Sequence, residues 1–184
     1  RSDMEGLYNG LLSSTDDALA FALITAYKFM DTKDTAAVTF NIKTGKTFAD
    51  ILLGTLDNEK MLTALKEHYP ELYPYVHINY LVYMMNRNKS EMDEESLMHY
   101  RRLKDTVEKD RDAFGHREKY MLYQALENYM AMRLEQNQQE KENYKELFEV
   151  YKSSLEQGVY KVSKENSIEP TVFRNILMTA CDMN

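Results

Sequence analysis

The stretch from Glu118 to Ala180 constrains the fold most, because its apolar residues recur at the spacing of helix faces. Its middle part carries a single apolar stripe among Lys and Glu, which is typical of a helix with one covered face. That stripe consists of Tyr144, Leu147, Phe148, Tyr151, Leu155 and Val159. The preceding helix has two stripes and is therefore predicted to lie between neighbours. Its first stripe consists of Tyr120, Tyr123, Leu126, Met130 and Leu134. Its second stripe consists of Met121, Ala125 and Met132.

The same order of an inner helix and then an outer helix occurs earlier in the chain. Residues 76–85 are apolar nearly all round, and a single stripe among charges follows over residues 97–114. The inner helices start about 42 residues apart, close to the period of two-helix repeats. This pattern predicts an all-α fold of stacked antiparallel helical hairpins, an α-solenoid. We expect one helical-repeat domain over residues 1–184, with hairpins in 58–184 and an irregular section in 1–57.

The irregular section begins with a loose lead-in over residues 1–14. Ser14 to Asp17 then supply a helix N-cap and an acidic first turn for the apolar run Ala18–Met30, which we expect to be a buried helix. This run is too short to span a bilayer and lacks the basic start of a signal peptide.

Residues 36–48 break the helical pattern. Val38, Phe40 and Ile42 alternate with polar residues, which favours a loop or a short β-hairpin there. Thr47 and Asp50 have the spacing of a capping box for a short helix that follows.

Turn residues set further helix boundaries. Pro70 ends a helix over 58–69, Pro74 opens the first inner helix, and Gly115 is predicted to close its outer partner. A last helix begins at Pro170 and has two apolar sides but no outer partner in the sequence. We therefore expect that the natural chain continues beyond Asn184 or that another subunit covers this end. The first residue is Arg, so we expect a fragment of a longer chain.

Composition and spacing argue against several kinds of site. The net charge is −7 and no part of the chain is basic, which argues against a nucleic-acid partner. The single Cys rules out an internal disulfide and fits a reducing compartment such as the cytoplasm. The four His lack metal-ligand spacing, and no catalytic motif occurs. The Gly45-Lys46-Thr47 triplet lacks the first Gly of a phosphate loop, where Phe40 stands. We expect no metal, no cofactor and no enzyme activity.

Two segments carry a family resemblance. Glu146–Gly158 resembles the outer helix of a pentatricopeptide repeat, and Ile168–Cys181 resembles an x-Pro entry into its inner helix, with Asn-Ile-Leu and a small residue. The likeness spans residues 146–181 and is broken by the insert 159–167. It implies helical hairpins, and in that family side chains near the position of Asn175 read RNA bases. Tetratricopeptide repeats are a related pattern, but their 34-residue signature is absent.

These observations lead to three functional hypotheses. The first is a non-catalytic protein interaction module or scaffold that binds a protein or peptide partner. A homo-oligomer formed through the C-terminal helix belongs to the same hypothesis. Tyr80, Tyr83, Tyr123 and Met130 would line its surface, unless they are core residues. The alternatives are a pentatricopeptide-like RNA binder, and an enzyme whose site is assembled across the N-terminal section.

Overall fold

The computed structural model describes residues 2–41, 45–87, 91–136, 141–162 and 167–182. Over these ranges the chain is helical apart from short connections, one 3-10 turn and a ladder of two-residue strands. The predicted all-α class is therefore confirmed. By its internal contacts the chain divides into two compact units, Arg1–His99 and Tyr100–Asn184, where the sequence predicts one helical-repeat domain. Each unit is described by itself below.

The first unit is built on helix α4. Helix α1 packs against α4 and α2, and α3 packs against α4. The bounds are α1 Ser2–Phe40, α2 Phe48–Thr55, α3 Asn58–His68, α4 Tyr73–Asn86 and α5 Glu94–Lys109, of which α5 continues into the second unit. The core of this unit includes Tyr27, Val76, Leu81 and Met85, each at most 1% exposed. Helix α4 is thus the inner helix that its apolar sequence predicts.

Helix α1 corrects the predicted lead-in and the predicted start at Ser14. It runs unbroken for 39 residues, because the chain has no Pro before Pro70 and the Thr hydroxyls bond within the helix. The Thr15 hydroxyl donates to the carbonyl of Leu11 at 2.8 Å, so it satisfies a carbonyl four residues back instead of capping a new helix. Asn41 follows α1 with φ 51°, the left-handed conformation that ends many helices.

The prediction of a loop or short β-hairpin near 36–48 is wrong for its first part, whereas residues 41 and 45–47 form a connection without regular structure. Residues 36–40 belong to α1, and residues 42–44 lie outside the described ranges. The short helix that follows is confirmed with its capping box. The Thr47 side chain accepts from the Asp50 N–H, and the Asp50 carboxylate accepts from the Thr47 N–H. Asp50 also pairs with Lys33 of α1 at 2.7 Å, which fixes α2 on α1.

Turn residues explain the other boundaries of this unit. Helix α3 ends at His68, before Pro70, and Pro74 stands in the first turn of α4, as predicted. The Asp93 carboxylate accepts from the Ser96 N–H at 2.8 Å and caps α5.

The second unit contains the rest of α5 and three further helices. They are α6 His116–Gln136, α7 Lys141–Glu156 and α8 Pro170–Asp182, with α7 packed against both α6 and α8. One face of α7 is buried and its Lys and Glu meet water, as its single stripe predicts. In α6 the stripe through Tyr123 and Met130 is buried, but Met121 of the predicted second stripe is 52% exposed. Helix α6 is therefore covered on one side within this unit.

Two connections in this unit differ from the predicted pattern. Gly115 stands before α6, where its N–H donates to Glu118 Oε2 at 2.8 Å, so it starts α6 instead of closing α5. The small antiparallel ladder lies in the insert between α7 and α8, where β1 Lys161–Val162 pairs with β2 Ser167–Ile168. Among the described helices, none is both long enough and apolar enough to cross a membrane.

The capping box of α2 generates a test. Replacing Thr47 by Ala leaves the Asp50 N–H without its side-chain acceptor, and we expect the free energy of unfolding to fall by about 1 kcal/mol. Urea unfolding followed by circular dichroism measures the loss. Thr47→Ser keeps the hydroxyl and should retain most of the stability; an equal loss in both variants would contradict a capping role.

Candidate functional site

Two of the four predicted partner-binding residues lie in the core of the second unit. Tyr123 and Met130 are each 1% exposed. The Tyr123 hydroxyl lies 2.8 Å from Ser153 Oγ and accepts from Gln157 Nε2 at 2.6 Å. At this exposure both side chains belong to the core.

The other two lie in the first unit, around the ring of Tyr27. Tyr80 is 8% exposed and meets that ring edge-on, while Tyr83 is half-buried beside it. Both tyrosines line a cleft of about 560 Å³ that also contains Asp50 and Arg87. The pKa of Asp50 is held below its usual range, first by the hydrogen bond from Lys33. Because this carboxylate already joins α1 to α2, its role in the cleft is structural.

A second cleft, of about 420 Å³, lies between α5 and α7. Its walls carry charges of both signs, including Lys104, Arg111 and Glu149, on side chains that are mostly exposed. Mixed charges of this kind are well solvated and hold little interaction energy.

A third cleft, of about 390 Å³, opens between α6, α7 and the start of α8. Its lining is largely polar and aromatic, with Glu127 in its wall. The remaining lining residues are Tyr120, Gln124, Asn128, Ala131, Tyr151, Tyr160, Glu169, Thr171, Val172 and Asn175. We name this the Glu127 cleft.

The Tyr160 hydroxyl donates a hydrogen bond to one carboxylate oxygen of Glu127. Its side chain is 92% buried, and its Oε2 accepts a hydrogen bond from the Tyr160 hydroxyl at 2.5 Å. Its Oε1 has no hydrogen-bond partner among the described residues. The nearby Ser154 hydroxyl lies 2.8 Å from the carbonyl of Tyr151 and also interacts with the Glu127 carboxylate, whose pKa it acts to lower. Oε1 is itself a buried atom, and a buried oxygen without a partner carries a cost that native proteins rarely accept.

The turn after α7 places Tyr160 against Glu127. Gly158 has φ 66°, and the Val159 N–H donates back to the Ser154 carbonyl at 3.0 Å. A residue other than Gly is strained in this conformation. The turn therefore directs the chain across α6, where Tyr160 is 4% exposed.

Burial controls the ionisation of this group of side chains. It raises the pKa of Glu127 to about 7, against the opposing effects of the Tyr160 and Ser154 hydroxyls. Burial also raises the pKa of Tyr151 to about 12, with a further contribution from the charge of Glu127. The pKa of Tyr160 is raised by burial and by its bond to Glu127. Near neutral pH, Glu127 therefore exchanges a proton while both tyrosines stay neutral.

Aromatic rings form one side of the Glu127 cleft. Tyr120 and Tyr160 meet edge to face, with ring centroids 5.6 Å apart and planes at 76°. The Tyr120 hydroxyl accepts from Gln124 Nε2 at 2.8 Å, which orients the ring from the rim. The lining of the cleft thus contains both a carboxylate and tyrosine side chains.

Glu127 was missed at the sequence level, although the sequence carries a signal for it. It lies four residues after Tyr123 and three before Met130, so it sits on the apolar stripe of α6. A carboxylate at such a position is rarely buried without a partner or a function. Asn175, singled out by the repeat resemblance, does line this cleft.

Side chains that could bind a metal ion are not clustered in the described ranges. Those ranges contain no cluster of three or more His, Cys, Asp or Glu side chains placed to hold a metal ion. His77 is half-buried and stacks on Tyr73 with ring centroids 4.9 Å apart. Cys181 is exposed.

The burial of one side of α6 predicts that the same substitution costs more stability on the buried side than on the exposed side. Met130→Ala opens a cavity in the core, and we expect a loss of about 2–5 kcal/mol in the free energy of unfolding. Met121→Ala makes the same change on the exposed side of α6 and should cost less than about 0.5 kcal/mol. Urea unfolding measures both, and equal losses would contradict the burial of the Met130 stripe.

The raised pKa of Glu127 generates a second test. The folded chain holds this proton more tightly than the unfolded chain, where the pKa is near 4.5. The resulting stability is fully present below pH 4.5 and is lost as the pH rises through about 7, a change on the order of 3 kcal/mol. Unfolding free energies between pH 4.5 and 8 measure this decline. Glu127→Gln should flatten it, and the exposed Glu156→Gln should keep it; equal declines in wild type and Glu127→Gln would refute the assignment.

Comparison with known proteins gives no match for this chain. No family model, no curated protein and no solved structure matches it. Function must therefore be inferred from the chemistry of its own surface.

Proposed function

We propose that this chain is a non-catalytic protein interaction module and that α8 forms part of its partner-binding surface. The observation that carries the proposal is the uncovered apolar face of α8. Phe173, Leu177 and Met178 are 54%, 50% and 57% exposed.

The two sides of α8 have different surroundings. Thr179 is buried and Asn175 is half-buried, on the side that meets α7 and the Glu127 cleft. Phe173, Leu177 and Cys181 recur at four-residue steps on the other side of the helix. A contiguous apolar stripe exposed to water is costly for a folded chain and commonly marks an interaction site. The exposed apolar face is one of the two apolar sides that the sequence of α8 predicts.

A stack of helical hairpins is part of the same proposal. The packing of α6 on α7, and of α7 on α8, supports it, because each helix covers the apolar side of the one before. A further helix placed on α8 would continue this order. It could belong to a partner protein or to a second copy of this chain. A cytoplasmic location also belongs to the proposal and is supported by the single cysteine.

The RNA-binding alternative receives no specific support from the cleft that contains Asn175. The charged side chains lining it are Glu127 and Glu169, which repel phosphate. The Asn175 side chain forms a hydrogen bond with the Tyr151 hydroxyl, and this bond opposes the rise in the pKa of Tyr151.

An enzyme is the second candidate, on one observation. The pKa of Glu127, about 7, lies where a general acid or base works well at neutral pH. The described lining of the cleft contains no His, Cys, Ser or Lys to act beside it. A carboxylate of this kind also serves to bind a ligand, and that role needs no further group.

The interaction proposal is tested by capture from a lysate of the source organism, with and without nuclease. We expect the wild-type chain to retain specific proteins after nuclease treatment. The double variant Phe173→Glu/Leu177→Glu should lose them, because charges on this face oppose burial. Sedimentation of the purified wild-type chain measures whether a second copy is the partner.

Met121→Glu is the matched control, since it places the same charge on an exposed apolar residue of α6 and should retain the partners. Loss of all specific proteins with nuclease would favour RNA binding. Equal capture by the wild type and the α8 variant would exclude this face as the binding surface.

A further inference from the structure

Helix α1 has one side that its own unit covers. The ring of Tyr27 packs against Tyr80 and Tyr83 of α4. Ala20 and Met30 lie on the same side of α1 as Tyr27 and are buried with it. Among the described side chains of α1, none before Ala20 is buried. About the first half of this 39-residue helix therefore stands clear of the core.

The opposite side of α1 begins with bulky apolar residues that meet water. Met4, Leu7 and Leu11 recur at steps of three and four, which places them on one side of the helix. They are 78%, 67% and 61% exposed. At about 3.6 residues per turn, they stand roughly half a turn from Tyr27. A helix with an exposed apolar stripe gains stability when a second helix covers it.

The same stripe continues with small residues. Thr15, Ala18, Ala22 and Thr25 follow at steps of three and four, and all four are exposed. The Thr15 hydroxyl already donates to the Leu11 carbonyl at 2.8 Å, so burial would not leave it unpaired. We name the set the α1 stripe; its members are Met4, Leu7, Leu11, Thr15, Ala18, Ala22 and Thr25. No member is charged, so covering the stripe takes no charge out of water.

A stripe that is bulky at its start and flat at its end fits a second copy of itself in the reverse direction. In an antiparallel pair centred between residues 14 and 15, each bulky side chain of one copy meets a small residue of the other. Facing large and small residues lets two helices approach closely and interdigitate. The facing couples are Met4 with Thr25, Leu7 with Ala22, and Leu11 with Ala18.

The residues beside the stripe agree with this alignment. Phe21 is 71% exposed next to the stripe, and in the antiparallel pair it comes beside Gly10 of the other copy. A Cβ added to Gly10 would meet nothing within 4 Å, so there is room for a ring at this point. Asp17 comes near Ser14 of the other copy, so it does not oppose a like charge.

From this fit we propose that α1 forms a symmetric antiparallel dimer with α1 of a second copy, through residues 4–25. The two helices overlap over about 22 residues, or 33 Å. Antiparallel helices also place the positive end of each dipole beside the negative end of the other. A two-fold contact is closed, because the same stripe is covered on both copies. The inference concerns the first unit and does not depend on the proposed role of α8.

A lipid surface fits the α1 stripe less well than a second copy does. Helices that lie on membranes are rich in Lys and Arg on their polar side. The sequence has neither residue between Ser2 and Tyr27, where it has Glu5, Asp16 and Asp17.

Sedimentation equilibrium of the purified chain tests the dimer. We expect a mass of twice 21.7 kDa for the wild type. Leu7→Glu/Leu11→Glu should yield the monomer, because the pair would have to bury four carboxylates. Cooperative urea unfolding of the variant establishes that it is folded. A monomeric wild type would overturn the proposal.

The matched control makes the same two changes elsewhere on α1. Leu12 and Leu19 are exposed, at 48% and 60%, and lie roughly a quarter turn from the stripe. Leu12→Glu/Leu19→Glu should therefore remain dimeric. Equal loss of the dimer in both double variants would refute the stripe as the contact.

An exchange within the central couple tests the alignment. Ala18→Leu alone sets Leu against Leu11 and should weaken the dimer at least about tenfold, the cost of overpacking. Leu11→Ala/Ala18→Leu exchanges the large and the small member of the couple and should restore association. Absence of rescue, or a tighter dimer with Ala18→Leu alone, would contradict the alignment.

Cross-linking tests the direction of the helices, in chains whose own thiol is removed by Cys181→Ser. With Met4→Cys and Thr25→Cys in one chain, a short bismaleimide should join two copies. With Met4→Cys alone it should not, because equivalent residues at the ends of the antiparallel pair lie about 30 Å apart. Cross-linking through Met4→Cys alone would indicate parallel helices and overturn the proposal.

The α8 variant separates this contact from the proposed binding surface. Phe173→Glu/Leu177→Glu should lose captured proteins and keep the dimer, and Leu7→Glu/Leu11→Glu should lose the dimer. A dimer that is lost in the α8 variant and kept in the α1 variant would assign self-association to α8 and overturn the inference. Failure of the capture experiment leaves each of these masses unchanged.

Discussion

Helices of this length hold their shape in water mainly because a neighbour covers their apolar face, and both units obey this constraint. In the first unit, α4 is apolar nearly all round and is covered by α1 and α3. In the second, the stripe of α6 through Tyr123 and Met130 is buried with α7 as its packing partner. An apolar helix face that no helix of the same unit covers therefore indicates where a partner can bind. On α8 such a face marks where another helix can add, which links the packing rule to the proposed function.

Glu127 shows how the same constraint creates chemistry. A carboxylate placed on a buried stripe must be neutralised, paired or used, because its charge is costly away from water. Here Tyr160 satisfies one oxygen and burial raises the pKa to about 7. The second oxygen is buried and has no hydrogen-bond partner among the described residues. The protonated form of this residue therefore favours the folded chain, and ionisation of the carboxyl opposes folding.

The parts of the fold that were predictable depend on local chemistry. The capping box at Thr47, the helix starts near Pro74 and at Pro170, and the single stripe of α7 all follow from residues close in sequence. The error at α1 is also local in origin. Ser and Thr favour helix ends when they cap, but within α1 the Thr15 hydroxyl bonds the preceding turn, so the helix continues to Phe40. Nothing in the residue types alone distinguishes these two uses of a hydroxyl.

The local sequence was sufficient for the all-α class and for several helix boundaries, because helical periodicity, proline and capping act over a few residues. It also placed Glu127 on an apolar stripe. Only the tertiary structure decided that Tyr123 and Met130 are core and that the face of α8 through Phe173 is not covered in its own unit. It also decided that Tyr160 returns to Glu127 from 33 residues away. Such pairings depend on which helix packs against which, and an amphipathic stripe specifies that a face is buried without specifying what buries it.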